Sequence, residues 1–183
     1  RLVINVELDV EQLKTHTSID LKQQGLKAEE AIIVAKCMEF NGSLTSVNLL
    51  KNDLGGGAVA VVAAAKQNGN IKTLCGIEEG KTEVNLADKY LRAPDAALLS
   101  FDLEFNRALT SLDLSRNEIG AGGAKAIAGT ILQSALKSLA INVELDIADL
   151  KTSASINLSG KGLRMEEAII VVKCMEFNRA LTS

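Results

Sequence analysis

Few side chains in this chain could do chemistry, and most of those that could occur twice. His16 is the only histidine. A nucleophilic triad needs such a base held by a carboxylate and facing a nucleophile. Residues 2–46 and 139–183 are near copies, offset by 137 positions, and the copy has Ser153 where His16 stands. That exchange marks a tolerant surface position. Cys37, Cys75 and Cys174 are odd in number, and no two have metal-ligand spacing. They read as reduced thiols of an intracellular protein. Cys37 and Cys174 precede Met38 and Met175 at equivalent sites, which suits small core residues. Glu29/Glu30 and Glu166/Glu167 are adjacent carboxylates. On a helix such neighbours point about 100° apart and cannot share one substrate. They suit the positive end of a helix dipole.

Two glycine loops could hold phosphate. Gly55-Gly56-Gly57-Ala58-Val59-Ala60 has the outline of a dinucleotide-binding turn, in which backbone N–H groups at a helix start hold a pyrophosphate. Gly120-Ala121-Gly122-Gly123 occupies the matching place in a later unit, so these glycines belong to a repeat. Gly76-Ile77-Glu78-Glu79-Gly80-Lys81-Thr82 has three residues between its glycines, where a phosphate-binding loop needs four. Its two glutamates would repel phosphate. No catalytic residue, cofactor or metal site is therefore expected, and the chain reads as a non-enzyme.

The elements that carry these residues repeat. Short strand patterns recur at Ser18–Leu21, Ser46–Leu49, Glu83–Leu86, Ser111–Leu114 and Ser155–Leu158, with the apolar residue inward. Each is closed by an apolar residue: Leu26, Leu54, Leu91, Ile119 and Leu163. Each leads into a helical pattern, at 28–41, 57–68, 94–107, 122–134 and 165–178. Ile19 to Val47 and Val84 to Leu112 are both 28 residues. Further strand-like pieces at Leu74–Ile77 and Leu139–Leu145 form excursions on one rim, with polar connections at 78–82 and 146–152. The 183 residues suit one array with approximate units 14–43, 44–70, 71–108, 109–135 and 136–180. Both ends lie inside units, so a longer natural array is expected.

Composition agrees. Hydrophobic residues are 47% and aromatics 3%, without Trp, so the core must be Leu, Ile, Val and Ala in thin layers. A net charge of −3, with scattered Lys and Arg, offers no electrostatic footprint for nucleic acid. No apolar run reaches the length of a membrane span.

Leu44-x-x-Val47-x-Leu49-x-x-Asn52-x-Leu54 and Leu109-x-x-Leu112-x-Leu114-x-x-Asn117-x-Ile119 resemble the leucine-rich repeat, in its ribonuclease-inhibitor-like class. The flavour is similar to large arrays of unicellular eukaryotes. The resemblance implies an α/β solenoid, or horseshoe, with a concave parallel sheet and convex helices. It implies an asparagine ladder at Asn52 and Asn117, incomplete because Gln24, Lys89 and Lys161 replace it elsewhere. Outward strand positions would form the concave face, with Asp20, Lys22, Asn48, Leu50, Asn85, Asp113, Ser115 and Asn157 as candidate partner-binding residues. The expected function is protein–protein interaction or structural scaffolding inside the cell, in the cytoplasm or alternatively an organelle, and as a subunit of a larger assembly. The alternative is the ligand-sensing or regulatory repeat region of a receptor or GTPase-regulating protein. The expected partners are other proteins, with no nucleic acid and no membrane insertion.

Overall fold

The computed structural model describes residues 2–3 and 7–182. Two short strands, β1 (Leu2–Val3) and β2 (Glu7–Leu8), form an antiparallel pair. Helix α1 (Val10–Thr15) follows, capped by Asp9, whose carboxylate accepts the N–H groups of Glu11 and Gln12. The repeating part then alternates β3 (Ser18–Asp20), α2 (Ala28–Phe40), β4 (Ser46–Asn48), α3 (Gly57–Asn68), β5 (Glu83–Asn85), α4 (Ala93–Phe105), β6 (Ser111–Asp113), α5 (Gly120–Ile131) and β7 (Ser138–Ala140). Strand β8 (Glu144–Asp146), α6 (Ile147–Thr152) and α7 (Met165–Phe177) complete the chain order.

β3, β4, β5 and β6 are each three residues long and end in an Asx turn, which recurs at Asn157. The side-chain oxygens of Asp20, Asn48, Asn85, Asp113 and Asn157 accept the N–H two residues on, at 2.9–3.3 Å. Gln23, Lys51, Asp88, Arg116 and Gly160, each three residues on, all have positive φ. The middle residues Ile19, Val47, Leu112 and Leu139 are buried. Each large aliphatic side chain fully buried this way stabilises the fold by about 1.5–3 kcal/mol.

The helices pack in sequence: α2 on α3, α3 on α4, α4 on α5 and α5 on α7. Glycine sets the closeness of two of these contacts. A Cβ on Gly57 would lie 2.7 Å from the Ala31 Cβ and 2.8 Å from the Ala28 carbonyl oxygen. One on Gly123 would lie 2.8 Å from the Ala96 Cβ. Both glycines therefore face neighbouring helices.

The strands do not make one continuous parallel sheet. β3 and β4 form one parallel pair. β5, β6 and β7 form a second parallel run, and β8 closes it antiparallel to β7. The first excursion causes the break. Thr73 and Cys75 bridge to Ser46 and Asn48, and Gly76, with φ +67°, turns the chain away before β5. The expected strand at Ser155–Leu158 is also missing, because no described strand lies beside it. The polar connection expected at 146–152 contains α6, anchored by buried Ile147 and Leu150.

Candidate interaction surface

The residues expected on one concave face divide among separate places. Asp20 and Asn48 meet in a groove of about 930 Å³. Its floor is β3 and β4, and its walls are the turn Gly76–Gly80 and the segment Phe105–Ala108. Gly76 crosses close above Asn48: a Cβ there would meet Asn48 atoms at 3.1 Å. Lys22, Asn85, Asp113, Ser115 and Asn157 do not line this groove. Asn85 and Asp113 sit in register on the second parallel run, and Asn157 lies in the unpaired segment after α6.

Leu50 is a correction. Alternation carried one step beyond the strand would place it outward, but it is 3% exposed and belongs to the hydrophobic core. The strand ends at Asn48, whose side chain accepts the Leu50 N–H, and Lys51 turns with φ +64°. Period-two geometry no longer applies there.

Asn52 and Asn117 bind backbone rather than facing a partner. The Asn52 carbonyl oxygen accepts the Gln24 and Leu26 N–H groups, each at 3.0 Å, and its amide donates to the Leu21 and Leu49 carbonyls. Asn117 treats Lys89, Leu91, Leu86 and Leu114 in the same way. Each asparagine thus closes the loop of the unit before it. The positions occupied by Gln24 and Lys89 are held by the asparagine of the following unit, whereas the Lys161 N–H makes only a long 3.4 Å bond to the Leu158 carbonyl.

A second series lies at the helix ends. Asn41 donates to the Leu13 and His16 carbonyls, Asn68 to those of Met38 and Asn41, and Asn178 to those of Leu150 and Ser153. Asn106, at the same position after α4, breaks the series. Its oxygen accepts the Ala108 and Leu109 N–H groups, but its Nδ2 has no protein partner among the described residues; Asn106 is half-buried and lines the groove. Charges around the groove are mixed: Asp20, Glu78 and Glu79 with Lys72 and Arg107. Lys81 pairs loosely with Glu78 at 3.8 Å, on the exposed turn.

Behind the groove is a buried acidic cluster that strand-and-helix reasoning missed. Asp102 of α4 is 1% exposed. Its Oδ2 accepts the Thr73 hydroxyl at 2.5 Å and its Oδ1 the Leu74 N–H at 2.7 Å. Burial pushes the Asp102 carboxyl up to about 7, although these bonds and the donors of Cys75 oppose the rise. Burial, then the charges of Asp102 and Asp95, push the Cys75 thiol well up. Burial also raises Cys37 and Cys174. None of the three is the low-pKa thiolate that nucleophilic chemistry requires. The one available signal was positional: Asp102 stands where equivalent helices carry Cys37 and Cys174.

The glutamate pairs also have a structural role. In α7, burial pushes the Glu167 carboxyl up, but N–H donors from Asn142 and Arg164 outweigh it and hold the group below its ordinary value. Asp95 plays the equivalent part in α4, accepting from Lys51 and Arg92. Burial raises its carboxyl despite those bonds.

Residues 98–128, spanning the end of α4 to α5, match the family model described as "Leucine Rich repeat". No curated protein matches the chain. Among solved structures, "Leiomodin-1 Actin-Binding Site 2 (ABS2)" aligns over 91% of this chain and 87% of that one, with 17% identity and a TM-score of 0.44. The matched window holds the Leu109–Ile119 motif, the Asn117 bonds and the close Gly123 contact. Among the described residues no group of His, Cys, Asp and Glu could hold a metal ion. No helix among them is long and apolar enough to cross a membrane.

Proposed function

We propose that the chain is a non-enzymatic protein-interaction scaffold of leucine-rich-repeat type, continuing the solenoid pattern of its units. Its groove takes an extended segment of a partner protein. The observation that carries this is the groove itself: a strand floor walled by a turn and by Asn106, whose amide donor has no protein partner among the described residues. An extended peptide brings carbonyl oxygens for that donor and fits between a strand floor and a raised turn. The mixed rim charges set register rather than supplying bulk attraction. The three buried free thiols suit an intracellular setting.

The test is to fill the floor. Ser18→Arg with Ser46→Arg places two long side chains in the groove, while Ser111→Arg alters the second parallel run. Partner retention in a pull-down drops at least about tenfold for the first variant and stays unchanged for the second. Equal retention by both variants sinks the groove as the binding surface.

A further inference from the structure

The sheet breaks in the middle of the chain, and the break leaves one side of β5 without a neighbour. β4, β6 and β7 each hook onto the unit before them. The Thr45 and Ser46 N–H groups donate to the Thr17 carbonyl, those of Thr110 and Ser111 to Thr82, and those of Lys137 and Ser138 to Thr110, at 2.8–3.2 Å. The corresponding N–H groups at β5, on Thr82 and Glu83, have no partner among the described residues. Both residues are exposed. The preceding extended segment, Thr73–Cys75, stays on β4, and its Leu74 N–H is taken by Asp102.

Backbone direction and side-chain burial agree. Leu86 donates its N–H to the Asp113 carbonyl, and Ser111 donates to Thr82. Main-chain groups of successive strand residues point to opposite sides, so Val84 turns its own toward β6 while Glu83 and Asn85 turn theirs to the open side. Val84 and Leu86 are only half-buried, whereas Val47, Leu49, Leu112 and Leu114 are at most 1% exposed. The charge beside this edge is acidic. Glu79 and Glu83 form no ion pair among the described residues, and Glu78 has only its loose one with Lys81. The same chain shows how an edge is closed. β8 lies antiparallel on β7, with Leu145 opposite Leu139 and buried between exposed Glu144 and Asp146.

We propose that the open edge of β5 takes an extended, basic segment of a partner protein, added antiparallel as β8 is added to β7. Its main chain pairs with the N–H and C=O groups of Glu83 and Asn85. An apolar side chain opposite Val84 covers that residue, and flanking Lys or Arg side chains on the outward face meet Glu83. Glu83, Val84 and Asn85 do not line the groove above β3 and β4. The edge is therefore a second surface and does not depend on the first.

The probe is a terminally blocked peptide of three Lys-Val repeats, with three Glu-Val repeats as its control, and amide exchange of the full chain is read by NMR. At about ten times its dissociation constant, the Lys-Val peptide slows exchange of the Asn85 N–H about tenfold. The Glu-Val peptide leaves that rate unchanged. Glu83→Pro removes an edge donor and a carboxylate without breaking a β5–β6 bond, since the lost N–H faces the open side. It weakens Lys-Val binding at least about tenfold, and Glu83→Gln, which keeps the donor, weakens it by a smaller factor. Ser18→Arg with Ser46→Arg, which fills the groove, leaves the slowing intact. An unchanged Asn85 rate, equal slowing by both peptides, or slowing lost only in the groove variant overturns the proposal. So does slowing at Asn85 that grows with the concentration of the chain alone, because the edge then takes a second copy.

Discussion

Asp102 offers the most quantitative test of how the excursion is held against the repeats. Its carboxyl is buried in α4 and raised to about 7 from an ordinary value of 3.8. Between those values the folded chain holds a proton that the unfolded chain has lost. Stability from this group is therefore full below about pH 4 and falls as pH rises toward 7. Across two pH units, from 5 to 7, the loss is about 3 kcal/mol at about 1.4 kcal/mol per unit. The perturbation is Asp102→Asn, which keeps the shape and removes the titration. It carries a cost of its own. The Thr73 oxygen already accepts the Cys75 and Ile77 N–H groups and donates its only proton to Asp102. The amide nitrogen introduced by the substitution would find no lone pair there, a loss of about 1–3 kcal/mol. Urea unfolding of both proteins at pH 5 and pH 8.5 reads the difference. D102N is the less stable at pH 5, and the gap shrinks or inverts by about 3 kcal/mol at pH 8.5. A gap that stays constant between the two pH values refutes the reasoning, because other titrating groups cancel in the comparison.

Three further substitutions, two of them paired with a control, probe the architecture. Gly57→Val destabilises by at least about 1–3 kcal/mol through overpacking against Ala28 and Ala31, whereas Gly56→Ala, with open space around it, changes the urea midpoint little. Asn52→Ala leaves the buried Leu26 N–H and Leu49 carbonyl unsatisfied and lowers stability by about 2–4 kcal/mol; a loss below about 1 kcal/mol would show that water replaces the amide. Leu50→Asp buries a carboxylate and abolishes cooperative thermal unfolding, while Asn85→Ala, on the exposed end of β5, shifts the midpoint only slightly. Comparable behaviour of those two variants would restore Leu50 to the surface.

Local patterns were readable in the residues, and non-local pairings were not. The helix starts at 28, 57 and 165 agree with sequence periodicity, because apolar spacing and cap residues act within a few positions. Gly57 and Gly123 were legible as packing glycines since they recur two units apart. Leu50 was misplaced because alternation was carried past the Asx turn at Asn48. The sheet break was invisible because it depends on Thr73 and Cys75 occupying the edge of β4, a pairing across about 27 residues. α1 and α6 carried a local signal that went unused: Asp9 and Asp146 are N-caps. The groove needed three distant segments to converge, and no spacing in the chain announces it. Asp102 was the exception, legible only by comparing equivalent helices and asking why one carries a carboxylate where two carry a thiol.

The central claim is that the groove above β3 and β4 is where this protein meets its partner. Cross-linking mass spectrometry on the captured complex tests it most directly. Lys72 lines the groove, whereas Lys125 and Lys173 lie on the α5–α7 side. Partner cross-links at Lys72, suppressed by the Ser18→Arg, Ser46→Arg variant, are the predicted result. Partner cross-links confined to Lys125 and Lys173, and indifferent to that variant, would contradict the account.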